Sequence, residues 1–296
     1  MRNLVIDISY FIHRHVDSKA YIQRDGIGGG VVAILLSINK IMREVYPADR
    51  LWVCFDGEPT YRQTIYPEYK ANRENSSKKN MSQRLTRAKL AATLRDIFET
   101  LGARVILNDS LEADDCAYQL GLQLAERSEE AMFATGDQDW LQILALSDKF
   151  SAYSPRAKTT FTGETFKSMM GFPASMLVYY KALCGDKSDN IPNIRQGLGE
   201  ATAKKIILES GYNGETILNN FAIGEDHAVL QALTRNMQLV DCGAAPIPQA
   251  VRDEIKLAIE EPRERDELRL LEHIQKLEVG DRLDWLVVAN RWKALQ

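Results

Sequence analysis

The stretch Leu51-Trp52-Val53-Cys54-Phe55-Asp56 is a short apolar run that ends on a carboxylate, and this pattern decides the fold. Three other runs have the same form: Leu4-Val5-Ile6 leads into Asp7, Arg104-Val105-Ile106-Leu107 runs toward Glu112, and Ala131-Met132-Phe133-Ala134 runs toward Asp137. Runs this short, nearly continuous and rich in β-forming residues are typical of strands covered on both faces. The sequence therefore predicts four buried strands.

Helical patterns occupy the intervals between these runs, most clearly from Val31 to Val45, from Leu85 to Leu101 and from Ala113 to Ala125. They are long enough for crossover connections, so the series predicts an α/β fold with a mostly parallel central sheet flanked by helices. Ligands of such open sheets bind beyond the carboxyl ends of the strands. We therefore expect the carboxylates that follow the strands to converge on one edge.

Five short clusters contain the candidate metal ligands, which are Asp7, Asp56, Glu112, Asp114, Asp115, Asp137, Asp139, Asp186 and Asp189. Like charges that share a site raise one another's pKa unless cations neutralise them. Any one of these acids also suits a helix cap or a turn, as Asp56 does in Phe-Asp-Gly, but five clusters in one register are harder to explain as caps. The pattern therefore predicts a site built around divalent metal.

Ligand chemistry narrows the metal to Mg²⁺ or Mn²⁺, because a site of oxygen ligands suits hard cations. Zinc prefers imidazole and thiolate, and the four histidines form no ligand-spaced set with cysteines. The four cysteines contain no Cys-x-x-Cys pair, which is typical of reduced thiols in a reducing compartment.

The composition is that of a soluble intracellular enzyme: 296 residues, of which 45% are hydrophobic and 26% charged. The apolar start is too short for a signal peptide, and we expect no apolar stretch long enough to span a membrane. We expect the protein to be cytoplasmic, either in a bacterium or in the host cell of a virus. We also expect a monomer without a membrane partner.

Basic residues are concentrated between Arg62 and Arg95, although the formal net charge of the whole chain is −4. That interval holds nine basic and two acidic residues, a local net charge of +7. Tyrosines alternate with basic residues from Thr60 to Arg73, and such a mixture binds single-stranded nucleic acid by stacking and charge. The alternative interpretation is a basic helix face exposed to solvent. Glu74 to Asn80 is polar and aperiodic and is predicted to be a mobile loop.

Farther along, Gly197-Leu198-Gly199 reads as a tight turn that opens a helix carrying Lys204 and Lys205. Glycines allow close approach of the backbone, and the N–H groups at a helix start bind phosphate. Gly-x-Gly alone is a weak signal. Its position soon after Gly185-Asp186-Lys187-Ser188-Asp189-Asn190-Ile191-Pro192 strengthens it.

Together these segments resemble the flap endonuclease or 5′-nuclease family, which includes bacteriophage 5′-3′ exonucleases and the 5′-exonuclease domain of bacterial DNA polymerase I. The matching segments run in order from Val5-Ile6-Asp7 through Phe55-Asp56-Gly57, Tyr66 to Arg73, Glu112 to Asp115, Thr135 to Gln142 and Gly185 to Pro192, ending near Asp241. Two departures stand out. Asn193 to Gly199 is one residue longer than usual and lacks the first glycine, and Val251 to Gln296 has no counterpart, so terminal helices or a partner-binding segment are the alternatives there.

The resemblance implies a nuclease core over residues 1–180 with a helical arch at about 70–95, and a helix–three-turn–helix module with C-terminal helices over residues 181–296. It implies that Asp7, Asp56, Glu112, Asp114 and Asp115 hold a first metal ion and that Asp137, Asp139, Asp186 and Asp189 hold a second. Lys70 and Arg73 would act on the scissile phosphate. The implied DNA contacts are Arg14, Arg62, Tyr69, Lys78, Lys79, Arg84, Arg87, Gly197, Gly199, Lys204 and Lys205, with K⁺ bound at the turn.

The implied function is a structure-selective 5′-nuclease that hydrolyses DNA by two-metal chemistry to 5′-phosphate products. Residues 75–94 would be mobile without DNA and would form the arch around a 5′ single strand. Two alternatives stay open: an RNA-directed 5′-nuclease that removes primers from RNA–DNA hybrids, and a DNA junction binder without catalysis. The full set of nine acids argues against the second.

Overall fold

The computed structural model describes residues 1–17, 22–73, 78–223 and 227–277, without the side chains at positions 17, 22–25, 73, 78–80 and 274. Within these ranges one sheet is formed by β1 (Arg2–Asp7), β2 (Arg50–Cys54), β3 (Arg104–Ile106), β4 (Glu130–Ala134), β5 (Phe150–Ser154) and β6 (Thr159–Phe161). The strands lie in the order β3-β2-β1-β4-β5-β6. The first five are parallel, and β6 is antiparallel to β5.

All four predicted strands are present, and the mostly parallel sheet is confirmed. The strands β5 and β6 were not predicted. In β5, Phe150-Ser151-Ala152-Tyr153-Ser154 alternates small polar residues with apolar ones, so it contains no continuous apolar run. The strand β6 is three residues long and is mostly exposed at the edge of the sheet, where burial leaves no hydrophobic pattern.

The helices of the described chain include every predicted helical interval. Their bounds are α1 (Ile8–Asp17), α2 (Ile22–Glu44), α3 (Thr60–Ile65), α4 (Lys78–Thr100), α5 (Ala113–Glu126), α6 (Gly163–Met170), α7 (Leu177–Cys184), α8 (Glu200–Glu209), α9 (Gly214–Ile223), α10 (His227–Val240), α11 (Gln249–Glu260) and α12 (Glu267–Leu277). A kink interrupts α2 at Gly26, whose φ of 61° lies in the left-handed region that favours glycine. The terminal helices expected after Val251 are thus present as α11 and α12, up to Leu277.

Helices cover both faces of the sheet, and alternate residues of β1 show how. Leu4 and Ile6 belong to the apolar core under α1, α2 and α4, whereas Val5 belongs to the core under α5 and α7. Successive side chains of a strand point to opposite faces, so a strand buried on both faces must be apolar at every position. This is the physical reason that the continuous apolar runs predicted the sheet correctly.

The register aligns the carboxyl ends of the central strands. Asp7 pairs with Cys54 of β2, and Ile6 pairs with Ala134 of β4. Residues that follow β1, β2 and β4 therefore leave the sheet side by side. The chain moves from β1 outward to β2 and β3 and then returns to the other side of β1 with β4, so this edge is also the switch point where open sheets bind ligands.

One apolar segment is longer than the sequence analysis predicted. Gly26–Glu44 of α2 is long and apolar enough to cross a membrane by length and composition, so the expectation of no such stretch was wrong. Of this segment, 67% is buried inside the protein. The reason for its composition is packing, since α2 lies against α1 and α4 over the sheet.

The C-terminal helices close the β3 edge of the sheet. Arg104 of β3 is buried, and its guanidinium donates to the carbonyl oxygens of Ala258 at 2.6 Å and Glu261 at 2.9 Å, at the end of α11. The N–H of Asp266 then donates to the carbonyl of Thr100, which sets α12 beside α4. Edge strands are usually protected in this way from pairing with other chains.

Candidate active site

An open cleft of about 460 Å³ lies at the aligned carboxyl ends of the strands. Five of the nine predicted acids line it, one or more after each of β1, β2, β3 and β4; they are Asp7, Asp56, Glu112, Asp114 and Asp137. Lys70 and Arg87 supply positive charge to the same cleft. The sequence thus predicted which strand ends build the site, and the sheet brings those ends together.

Asp7 is the last residue of β1 and is a buried acid of the cleft wall. Its Oδ1 accepts from the N–H of Tyr10 at 3.0 Å, and its Oδ2 accepts from the Thr135 hydroxyl at 2.7 Å. Burial and the neighbouring charge of Asp56 raise the pKa of Asp7 to about 8. The carboxylate is therefore held rigidly in a place where its negative charge lacks compensation from the protein.

The start of α5 organises the next three acids. Glu112 is the N-cap residue, and its N–H donates to Asp115 Oδ2 at 3.1 Å. The N–H of Ala113 donates to Asp56 Oδ1 at 2.9 Å, which ties the acid after β2 to the same helix end. The N-terminus of a helix carries partial positive charge, so it stabilises acids gathered there. Glu112 and Asp115 thus cap the start of α5 and are also candidate metal ligands.

Lys70 lies between two acidic clusters. Its ammonium contacts the Glu112 carboxylate and lies 3.7 Å from Asp189 Oδ2. Burial and Asp114 raise the pKa of Glu112 to about 7, although Lys70 and Arg62 oppose the shift. The backbone of Lys70 has a φ of 57°, and its N–H donates to the carbonyl of Asp189 at 2.9 Å. The cation is therefore placed by a turn that is bonded to the second acidic cluster.

Arg62, which was predicted to contact DNA, lies in the interior of this structure, and its contact with DNA stays a prediction. It is 2% exposed, and its two terminal nitrogens donate to the two oxygens of Asp115 at 2.7 Å each. Its Nε donates to the carbonyl of Leu239 at 2.8 Å, at the end of α10. In this structure the guanidinium is therefore held by hydrogen bonds within the protein.

Tyr69, which was predicted to stack on DNA, is buried behind the acids in this structure, and its contact with DNA stays a prediction. Its ring is 3% exposed, and its hydroxyl lies 2.9 Å from Glu112 Oε2 and 3.1 Å from Asp189 Oδ2. Burial, followed by the charges of these two acids, raises the pKa of the phenol, so it keeps its proton and donates to them. Aromatic rings between cations suggested nucleic acid, but here the ring closes the floor behind the acids.

Two of the remaining acids, Asp139 and Asp186, form a second group around a lysine that was not predicted. Lys181 of α7 is buried, and its ammonium lies 2.5 Å from Asp139 Oδ1 and 2.8 Å from Asp186 Oδ2. Burial raises the pKa of Asp139 to about 7 despite Lys181, whereas Lys181 and Ser188 bring the pKa of Asp186 down to about 2 against the effect of burial. The available signal was one charge in the apolar helix Leu-Val-Tyr-Tyr-Lys-Ala-Leu-Cys.

The donor set of the cleft fits a hard divalent cation. One oxygen each from Glu112, Asp114 and Asp115 lies within 4.8 Å of the others, and Asp7 and Asp137 line the same cleft. The thiols do not compete as ligands, since burial raises the pKa of Cys54 and Cys116. Oxygen donors with uncompensated charge are what Mg²⁺, Mn²⁺ and Ca²⁺ prefer.

Comparison with known proteins agrees with this architecture. The family model described as "5′-3′ exonuclease, N-terminal resolvase-like domain" matches residues 2–171, more than half of the chain. The chain belongs to the 5′-3′ exonuclease family. The resemblance read from the sequence motifs is thereby confirmed at the level of the family.

Two curated relatives and one solved structure are similar to this chain. DNA polymerase I of Mycobacterium bovis is 31% identical over 274 residues, 88% of this chain, and the chain spans only 28% of that polymerase's length. The 5′-3′ exonuclease of Bacillus subtilis is 31% identical over 204 residues, which are 67% of this chain and 64% of that protein. A crystal structure of the bacteriophage T5 flap endonuclease has the same fold, with a TM-score of 0.67 and 18% identity over 98% of this chain and 100% of that chain.

The other predicted DNA contacts differ in their exposure to solvent. Arg14, Arg84, Gly197, Gly199 and Lys205 are exposed, whereas Arg87 and Lys204 are half-buried. The Arg14 guanidinium donates to the Tyr10 hydroxyl at 3.0 Å, at the rim of the cleft. The side chains of Arg73, Lys78 and Lys79 lie outside the described residues, as do residues 74–77 of the predicted loop, and their roles stay predictions.

The turn before α8 forms as the glycines predicted, and Asn193 contributes a side-chain hydrogen bond to it. Gly197 has a φ of 80°, and Gly199 precedes α8 as its N-cap. Asn193 does not take the left-handed conformation; its side-chain amide donates to the carbonyl of Leu198 at 3.3 Å. A side-chain hydrogen bond thus closes the longer loop that replaces the usual glycine turn.

Proposed function

We propose that this chain is a structure-selective 5′-nuclease that hydrolyses phosphodiesters of branched or 5′-ended DNA and leaves 5′-phosphate products. The observation that carries the proposal is the cleft itself, in which five carboxylates from four strand ends face Lys70 and Arg87. A cleft that combines cation ligands with fixed positive charge suits a phosphodiester held near metal ions. Membership of the 5′-3′ exonuclease family supports it.

We further propose two Mg²⁺ ions as cofactors, with Mn²⁺ able to substitute. Asp7, Asp56, Glu112, Asp114 and Asp115 would hold the first ion directly or through water, and Asp137, Asp139, Asp186 and Asp189 would hold the second. Divalent cations supply Lewis acidity, which lowers the pKa of water and offsets the charge of the reacting phosphate. K⁺ at the turn of Gly197 and Gly199 belongs to the same proposal.

The residues of the chain contribute orientation and charge. Tyr10 and Thr135 fix both oxygens of Asp7, and Ala113 fixes one oxygen of Asp56, so these ligands lose little freedom when the site is filled. Lys70 adds a positive charge that is already in place when negative charge grows on the phosphate. Arg73 would support Lys70 from the next turn.

The proposed substrates are DNA molecules with 5′ flaps or 5′ ends, bound by a monomeric cytoplasmic protein. The bacteriophage T5 flap endonuclease has been crystallised as a pseudo-enzyme–product complex with DNA and metal ions. RNA–DNA hybrids remain the alternative substrate. A junction binder without catalysis is disfavoured by the cleft, since the acids that line it would repel DNA unless cations were bound.

The decisive experiment is gel analysis of end-labelled single-stranded, nicked, 5′-flap and RNA–DNA substrates incubated with Mg²⁺. Wild-type protein should cut the 5′-flap DNA, and Asp7→Asn should abolish cleavage. Asp148→Asn is the matched control, because Asp148 is an exposed acid in the turn before β5, at the opposite edge of the sheet. Cleavage in EDTA, or full activity with Zn²⁺ alone, would contradict the hard-cation assignment, and faster cutting of the hybrid would favour the RNA-directed alternative.

A further inference from the structure

A second, smaller cavity lies beside the cleft. Its volume is about 190 Å³, and it is bounded by the loop after β4, the strands β5 and β6, and the helix α6. Most of its lining is apolar, and the main contributors are Leu141, Phe161, Phe166, Met169, Met170 and Leu177. Nothing in the reaction proposed above uses this cavity.

The size and chemistry of the cavity suit one flat ring. An apolar cavity of roughly 150 Å³ is large enough to bind benzene, so this one accepts a single heterocycle and excludes a helix or a strand. Phe166 is fully buried at its base, whereas Met169 is 53% exposed at its mouth. Thr135, Asp137, Gln138, Tyr153 and Ser154 add polar groups to a mostly apolar lining, the usual composition of a pocket for a small polar ring.

A thin wall separates the cavity from the acidic cleft. Gly136 and Asp137 line both spaces, so the loop after β4 has the cleft on one side and the cavity on the other. The ring of Tyr10 packs onto this loop so closely that a Cβ at Gly136 would lie 2.0 Å from Tyr10 Cε2. At Gly136 the wall therefore consists of backbone without a side chain, and a nucleotide bound at Asp137 would be adjacent to both spaces.

We propose that this cavity receives one nucleobase of the substrate strand, displaced from its stack, beside the phosphate held in the cleft. The inference rests on the proposed function, because the cleft supplies the phosphate to which the base is attached. A base taken out of the duplex loses its stacking, and apolar and aromatic walls offset that loss without reading the sequence. Phe161 and Met169 are the binding residues at the entrance of this nucleobase pocket.

Photocrosslinking tests the position of the base directly. A 5′-flap DNA carries 5-iododeoxyuridine at one of the three nucleotides on either side of the scissile phosphate, and each version is illuminated with wild-type protein in Ca²⁺. We expect one position to couple to a peptide that contains Phe161 or Met169, identified by mass spectrometry. Adducts that map only elsewhere on the chain would overturn the proposal.

Single-turnover cleavage of the same flap in Mg²⁺ provides the second readout. Phe161→Leu keeps an apolar side chain but removes the ring, and it should slow cleavage roughly tenfold, within the range seen for the loss of one stacked base. Thr160→Ala is the matched control, since Thr160 is exposed on the same strand and does not line the cavity. A Phe161→Leu rate equal to that of the control would overturn the pocket.

The two proposals fail in different ways. Absence of cleavage by the wild-type protein would refute the nuclease, whereas normal cleavage without a crosslink in the pocket would refute the pocket alone. If the cavity instead takes an aromatic side chain of a protein partner, no crosslink to DNA will map to the cavity and Phe161→Leu will leave cleavage unchanged, and both results count against the nucleobase. Urea unfolding of Phe161→Leu and Thr160→Ala gives the stability against which their rates are compared.

Discussion

At the scale of single residues, Arg62 and Asp115 form a bidentate ion pair that is closed to solvent. Asp115 is 1% exposed, and the guanidinium also holds the end of α10 through Leu239. A buried pair of this kind adds little net stability compared with apolar residues of the same shape, but the loss of one partner leaves a charge without compensation. The pair therefore connects α3, α5 and α10 behind the cleft.

We predict that Arg62→Ala lowers the free energy of unfolding by about 3–5 kcal/mol, because Asp115 is then buried without its partner. Urea denaturation at neutral pH measures the change. Arg127→Ala is the control, since Arg127 pairs with Glu260 at the surface and should cost about 1 kcal/mol or less. Equal destabilisation by the two variants would show that the Arg62 pair is not the structural link described here.

Lys70 gives a prediction about chemistry rather than stability. Lys70→Ala should slow single-turnover cleavage by about two orders of magnitude or more, the scale of one preorganised contact to a transition state, and should change DNA affinity only modestly. Both residues would adopt the same left-handed backbone, so the strain at this position is unchanged. Lys89→Ala, on the exposed part of α4, is the control. Parallel losses in affinity and rate would identify Lys70 as an ordinary phosphate contact.

At the scale of elements, the N-terminus of α8 and the turn before it form an exposed surface. Gly199 leaves the first N–H groups of α8 accessible, and Lys205 is exposed beside Glu209 at 3.6 Å. A helix start combined with lysines is suited to the backbone of a duplex, where contacts position the substrate without reading bases. The helix α8 packs against α7, which supports this surface from below.

Replacing Lys204 and Lys205 together with alanine should weaken binding to every duplex sequence alike. The slope of log affinity against log salt should become shallower by about 1.8, since each lost phosphate contact contributes about 0.9. Fluorescence anisotropy over a salt series measures both effects, and affinity for single-stranded DNA should hardly change. The double variant Lys256→Ala with Lys276→Ala removes the same charge from α11 and α12 and serves as control. A slope that matches the control would assign the turn to structure alone.

At the scale of the whole molecule, the fold keeps acids together that repel one another. Asp7 and Glu112 have raised pKa values because burial and neighbouring carboxylates disfavour their charged forms. Without bound cations, the burial and mutual repulsion of these acids therefore lower the stability of the folded protein. Ligands that bind only the folded state stabilise it, and the stabilisation grows with the ligand concentration relative to Kd.

We predict that Mg²⁺ raises the melting temperature of the wild-type protein and that Asp137→Ala reduces this increase. In EDTA the same variant should melt at a temperature equal to or above that of the wild type, because one repelling charge is gone. Differential scanning calorimetry with and without Mg²⁺ measures both, with Asp148→Ala as control. A lower melting temperature of Asp137→Ala in EDTA, together with an unchanged Mg²⁺ increase, would contradict a cation site at Asp137.

The sequence by itself determined the sheet, its parallel strands and the acids that follow them. A strand buried on both faces must be apolar throughout, and the carboxyl ends of parallel strands meet at one edge of the sheet. Local sequence is therefore enough to predict both the strands and the convergence of the acids that follow them. The strand β5 and the edge strand β6 were not predicted because their partly exposed residues interrupt the apolar pattern. The spacing of Gly197 and Gly199 likewise predicted the turn before α8.

Only the tertiary structure decided which charged residues face solvent and which face one another. Arg62 and Tyr69 carry the composition of a DNA-binding segment, yet α10 and the loop before Asp189 enclose them. Lys181 shows the reverse case, because its partners Asp139 and Asp186 come from separate parts of the chain. The physical reason is the same in all three: a charge is buried only where distant segments supply opposite charge or hydrogen bonds, and no local pattern records which segments will meet.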